Sequence, residues 1–213
     1  MPAADSLKNV MANAAAGAIT HLALLTALSD TAPTEVTGGS PAYARKATTA
    51  WTSAAAGITT TPSVAVTFDV PASTTVLAIG FYTAVTAGTF HGWSPLNGVA
   101  ATQGFGVVDA TGVTNDTITS SVHGLTTDDY IVVNNVAGTA IPAGLTETTQ
   151  TYRVLASGLT ADVFKLSLTS GGAAVNITGQ GELWFQKLIP EVYGAQGTLA
   201  VAINAVTLDL NAV

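Results

Sequence analysis

EVTGGSPAYARK, residues Glu35 to Lys46, joins a turn to a strand. The run from Pro33 to Pro41 contains Gly38 and Gly39, residue types that punctuate chain direction. Beyond it, Tyr43, Arg45 and Ala47 alternate with Ala44, Lys46 and Thr48. A period of two puts Tyr43 and Arg45 on one face of a strand and Lys46 on the other. A turn-rich connection feeding an alternating segment is a β signature, and the flanking sequence repeats it.

Toward the N-terminus, Asp5 or Ser6 can cap a helix, and Leu7, Val10, Met11 and Ala14 fall at i, i+3, i+4 and i+7. The spacing predicts a helix from Ser6 to Ala16, stopped near Gly17. Its apolar stripe is thin and needs a partner, in its own domain or in a neighbouring subunit. His21 to Leu28 is apolar and bounded by Ser29, Asp30 and Pro33, which reads as a strand. Toward the C-terminus, Val64, Val66 and Phe68 alternate with Ala65, Thr67 and Asp69. Pro71 to Thr75 reads as a turn, and Val76 to Tyr82 as an almost continuous central strand. Ala87-Gly88 then turns the chain into Thr89 to Trp93. Short strands separated by Gly, Pro, Ser and Thr clusters indicate a mainly β chain, a jelly-roll-like β-sandwich with a short N-terminal helix.

A second module begins near Val113. Strands are expected at Asp116 to Ser120, Tyr130 to Asn134, Thr151 to Ala156, Val163 to Thr169 and Ala174 to Thr178, with a strong turn at Gly171-Gly172. Leu183 to Leu188 is expected to return toward the first module. The first module lacks a closing strand after Trp93, and Thr198 to Leu210 can supply it. The organisation expected is therefore residues 1–110 plus 189–213 as one β-sandwich domain, with 111–188 as a small β-domain inserted at a loop tip.

Composition narrows the function. Hydrophobic residues make up 48% of the 213 and charged residues only 9%, against about 25% charged in an ordinary soluble domain. A surface of Thr, Ser, Asn, Gly and Gln repels neighbours poorly, which suits either an assembly or a stable secreted β-protein. Six basic against thirteen acidic residues give a net charge of −7. With no basic cluster, nucleic acid is not an expected partner. The absence of cysteine removes disulfides and thiolate metal sites. No apolar run approaches the roughly 20 residues that span a bilayer, so no membrane partner is expected, and the first residues do not read as a signal peptide.

No catalytic or cofactor site stands out. His21, His91 and His123 lack zinc-site spacing, and no GxSxG elbow occurs. Asp128-Asp129 reads as a solvated hairpin turn rather than a cation loop. Arg45 is the residue to single out. Sharing a face with Tyr43, it needs a carboxylate such as Glu35 if it is buried, because an unpaired buried charge is costly. An internal clamp on the Pro33–Pro41 loop is preferred to an ion pair between subunits. Trp51, Trp93, Trp184 and Tyr193 are candidate interface anchors, with core packing the plainer role for each.

The first module resembles small phage structural proteins of the tail-fibre-like or virion-associated type. Glu35, Val36, Thr37, Gly38, Gly39, Tyr43, Ala44 and Arg45 match their Glu-Val-(Ser/Thr)-Gly-Gly-x-Tyr-Ala-Arg motif, with Ser40, Pro41 and Ala42 lengthening the spacer. The apolar strand Val76 to Tyr82 and the step Gly88-Thr89-Phe90 follow in the same order. The second module is similar to a β-rich insert of phage structural proteins. The similarity lies in Val122-His123-Gly124-Leu125, Ile141-Pro142-Ala143-Gly144-Leu145, Thr151-Tyr152-Arg153-Val154, Phe164-Lys165-Leu166-Ser167 and Gly171-Gly172-Ala173-Ala174-Val175. The resemblance implies a non-enzymatic virion protein, present as a homo-oligomer or as repeated copies on a lattice. Its expected partners are the major capsid protein or other virion proteins. A minor capsid or head decoration role is the expectation. The alternative is a tail or tail-fibre component contacting host glycans or a receptor. A third reading is a carbohydrate-binding or enzymatic module: aromatic rows on an exposed face of the insert would favour glycan binding, and a cleft holding paired carboxylates would favour an enzyme.

Overall fold

The computed structural model describes residues 5–48, 51–55, 58–60, 65–97, 103–147, 150–202 and 205–209. Val64, Ile203 and Leu210, expected in strands, lie outside these residues. The chain opens with α1 (Asp5–Ala18), β1 (His21–Ala27), β2 (Thr34–Glu35), β3 (Lys46–Ala47), β4 (Ile58–Thr60) and β5 (Val66–Val70). It continues with β6 (Thr74–Val76), β7 (Ala78–Tyr82), β8 (Phe90–Pro95), β9 (Gln103–Val108), α2 (Ala110–Asn115) and β10 (Ile118–Thr119). Next come β11 (Tyr130–Asn135), β12 (Tyr152–Val154), β13 (Val163–Phe164), β14 (Leu166–Ser167) and β15 (Gly181–Leu188). The last strands are β16 (Glu191–Tyr193), β17 (Gly197–Val201) and β18 (Thr207–Asp209). The protein is mainly β, of the β-sandwich class, with a short N-terminal helix.

Two compact units result. One comprises Met1–Thr26, Glu35–Ser94 and Glu191–Val213; the other comprises Ala27–Thr34 and Pro95–Pro190. The chain enters the larger part of the second unit at Pro95, ahead of residue 111, and Ala27–Thr34 belongs to that unit as well. The reason lies in β9, Gln-Gly-Phe-Gly-Val-Val, whose glycines make it read as a loop. The strand needs them: a Cβ on Gly104 would lie 2.2 Å from the Phe185 ring, and one on Gly106 2.7 Å from Ile118.

In the first unit, one sheet has the order β2-β1-β7-β8, with β3 also paired to β1. Leu22 to Leu25 of β1 and all of β7 are buried, in antiparallel register Leu22↔Phe81 and Leu24↔Ile79. Burial of each such Leu, Ile or Phe side chain contributes roughly 1.5–3 kcal/mol. The segment Val76 to Tyr82 is two strands rather than one. The Leu77 N–H turns to the Leu25 carbonyl at 2.8 Å, β6 pairs with β16, and β7 pairs with β1. The C-terminal strands β17 and β18 pair with β5 and β4. Only Lys46–Ala47 of the alternating segment beyond Tyr43 enters a ladder. Helix α1 lies against β4 and β18 with Ala12 and Ala16 buried, while Leu7, Val10 and Met11 remain exposed. The helix therefore seats on its small residues and leaves the predicted stripe to solvent.

The second unit holds a sheet of order β13-β10-β9-β15-β11-β12-β14. Its two end strands are consecutive in the chain, separated by Lys165 alone. One extended segment therefore pairs with β10 through Phe164↔Ile118 and with β12 through Leu166↔Val154. The two ends of the sheet thus meet in this one segment, and the sheet curls into a small barrel. Phe164, Phe185, Ile131, Val133, Tyr152, Val154, Leu166 and Leu183 fill the interior. Phe164 and Phe185 meet edge to face at 5.1 Å. Leu183 to Leu188, expected to lead back to the first module, is instead part of the central strand of this barrel, between β9 and β11. Ala174 to Thr178 forms no strand, only an isolated bridge from Ala174 to Ser167. Helix α2 was not expected. It is capped by Asp109, whose carboxylate accepts the Gly112 N–H at 2.7 Å.

Candidate functional site

The segment from Glu35 to Lys46 builds a clamp in the first unit. Gly38 and Gly39 adopt φ of +86° and +91°, a region that favours glycine, and a Cβ on Gly39 would meet the Pro41 carbonyl at 2.9 Å. The loop is fastened by Gln196, whose Oε1 accepts the Ser40 N–H at 2.9 Å and whose Nε2 donates to the Pro41 carbonyl at 3.0 Å. Sequence spacing gives no hint of that partner, which lies 156 residues away.

After the loop, the Tyr43 hydroxyl accepts the Leu24 N–H of β1 at 2.8 Å, and its ring stacks on Phe68 at 6.2 Å. Burial, ahead of the other influences, raises the Tyr43 phenol well above its ordinary pKa. Arg45 follows on the same side. Its Nε donates to both oxygens of Glu35 at 3.0 Å, and one terminal nitrogen pairs with Glu35 Oε1. The other terminal nitrogen donates to the Ala84 carbonyl at 2.9 Å and the Ala87 carbonyl at 2.8 Å. The guanidinium lies over the Tyr82 ring, 3.4 Å from its centroid. The bond to Glu35 raises the Arg45 pKa further above its ordinary value. Tyr82 is pushed up to about 12, by burial first and by the Glu35 charge second. With its donors spent on one carboxylate and two carbonyls, Arg45 ties β2, the end of β7 and the turn after it together. Trp93 stands half-buried on β8 and donates no hydrogen bond to this cluster. Trp51 donates its indole N–H to the Ile19 carbonyl at 3.0 Å.

In the second unit, Asp128 and Asp129 are engaged by cations of the chain itself. Arg153 lies 3.4 Å from Asp128, and Lys187 lies 2.8 Å from Asp129. Among the described residues no group of three or more His, Asp or Glu is arranged to hold a metal, and no helix is long and apolar enough to cross a membrane.

The outer wall of the barrel differs from both clusters. Trp184 on β15 is 48% exposed although its neighbours Leu183 and Phe185 are fully buried. Phe105, directly opposite on β9, is also exposed and meets the Trp184 ring edge on at 5.5 Å and 73°. Gln186 pairs with Gln103 one step along the same face, and Asn134 flanks Trp184 from β11. Gln103, Asn134, Trp184 and Gln186 border a hollow of about 240 Å³. Phe105 and Gln103 also border a second hollow of about 500 Å³, with Ser120, Ser121, Val122 and His123. Trp184 is visible in the sequence as an aromatic. Phe105 is hidden between glycines, and the three amides carry no sequence signal at all.

The chain is β-rich, its most buried cation is spent on an internal clamp, and its charge is sparse, features that suit a structural component. Comparison with known families agrees. The model of the family described as podophage GP4 fiber I protein gp80 matches residues 5–119, from α1 through β10. The chain belongs to this family, and it is accordingly a structural protein of the phage virion. No curated protein and no solved structure matches the chain.

Proposed function

We propose that the chain is a non-enzymatic tail-fibre component that contacts the host surface. The family match over residues 5–119 carries this reading and favours it over the decoration of a capsid shell. The sparse charge and hydroxyl-rich surface support a protein held in repeated copies, where many weak contacts add to a firm one. The first unit serves attachment. Its helix presents Leu7, Val10 and Met11 to solvent, an apolar stripe suited to another virion protein or another copy of the chain. The barrel serves contact outside the particle. Gold-labelled antibody against the barrel, imaged on intact particles, tests the assignment. Label on fibres is the expected result; label spread over the capsid surface would return the protein to shell decoration.

A further inference from the structure

We infer that the Trp184–Phe105 wall of the barrel is a binding site for an uncharged glycan chain; the inference rests on the fibre reading and names the ligand of its contact surface. Three features carry it. First, Trp184 exposes about half its surface at the centre of a strand whose neighbours on both sides are paired. An indole so fixed, and braced edge-on by Phe105, is a rigid flat platform that loses little freedom when something stacks on it. A sugar ring presents such a partner in its face of C–H groups.

Second, the rim is made of amides. Gln103, Gln186 and Asn134 each offer two N–H donors and one carbonyl acceptor. That combination matches neighbouring sugar hydroxyls, each both donor and acceptor. Neither hollow is bordered by Asp, Glu, Lys or Arg, and Glu182, the preceding outward residue of β15, borders neither.

Third, a buried histidine with an unused donor borders the second hollow. His123 is buried and edge-on to Phe164, and its Nδ1 accepts the Leu125 N–H at 3.0 Å. The proton of the neutral ring is thereby assigned to Nε2, which has no partner. A buried donor without an acceptor is unfavourable until one is supplied. Ser120 and Ser121 border the same hollow and add hydroxyls to it.

Other ligand classes fit less well. A nucleic acid would also stack on Trp184, but the chain has a net charge of −7 and no cation at this site to meet phosphates. An extended peptide gains its affinity by adding to a sheet edge, and β15 is paired on both sides of Trp184, with Phe105 of β9 and Asn134 of β11.

The test uses the full-length protein on an array of immobilised uncharged oligosaccharides, with a sulfated polysaccharide and single-stranded DNA as charged probes. Binding to uncharged sugars alone is expected. Trp184→Ala should weaken it by about tenfold or more, Trp184→Phe by less, and Gln186→Ala measurably, all at unchanged melting temperature because these side chains face solvent. Glu182→Gln should leave it intact. Binding to the charged probes only, no sugar bound at millimolar concentration, or a bound sugar indifferent to Trp184→Ala would each overturn the site. Particle labelling separates this failure from that of the fibre reading. Label on the fibres of unsubstituted virions, with no sugar bound by the unsubstituted protein, removes the glycan site and leaves the fibre assignment standing.

Discussion

Each unit of this protein contains an arginine stacked on a tyrosine and paired with an acid. In the first, Arg45 lies 3.4 Å above Tyr82 and pairs with Glu35. In the second, Arg153 lies 3.6 Å above Tyr130 and pairs with Asp128. The chemical groups are the same, yet the two differ in depth and in the number of bonds made. The Arg45 and Glu35 side chains are 11% and 20% exposed, and Arg45 also holds two backbone carbonyls. Asp128 is 41% exposed, its pair distance is 3.4 Å, and the Ser170 hydroxyl, more than Arg153, holds its carboxyl below its ordinary pKa. Water does for Asp128 much of what Arg45 does for Glu35. An ion pair stabilises according to what its partner would lose, so the first clamp should matter and the second should matter little.

The largest effect would come from separating the two clamps. We propose that the barrel is an inserted, autonomous module. The Asn97 side chain donates to the Ile189 carbonyl at 2.8 Å, bringing both ends of the segment together, and the sheet closes on itself. Residues 95–190 expressed alone should unfold in one cooperative transition by circular dichroism. A molten product would show that this barrel draws its stability from the other unit.

Next in size is Arg45→Met in the full chain, which leaves Glu35 unpaired at low exposure. A loss of about 3 kcal/mol is expected in urea unfolding, and Glu35→Gln added to it should restore much of that loss. A single variant with the stability of the parent would mean that solvent already satisfies Glu35. Arg153→Met should cost clearly less by the same measurement; an equal or larger loss than Arg45→Met would reverse the ranking.

The smallest effect is alkaline. Tyr82 has a folded pKa of about 12 against an ordinary 10.0. Because the folded value is the higher, its contribution is present in full below pH 10 and is lost as pH rises through about 12. The melting temperature should therefore begin to fall above pH 10, and Tyr82→Phe should make that fall shallower. Tyr43, raised in the same sense, keeps the fall from vanishing. An unaltered alkaline profile in Tyr82→Phe would mean that its phenol titrates freely.

The amino-acid sequence by itself determined the β class, the helix at the N-terminus and the loop at Gly38 and Gly39, because alternation, capping and positive φ are local properties. It also stated a requirement, that a guanidinium withdrawn from water finds a carboxylate. Which strands neighbour one another was decided only by the tertiary structure, since a period of two assigns faces and never partners. Hence Val163 to Thr169, read as one strand, turned out to close a barrel by pairing on both sides through Phe164 and Leu166, and β9 stayed hidden behind glycines that make room for Phe185 and Ile118. The same limit applies to the wall around Trp184. An aromatic in a strand reads the same whether it faces the core or the solvent, and only the closed sheet turned Leu183 and Phe185 inward and left Trp184 outside among amides.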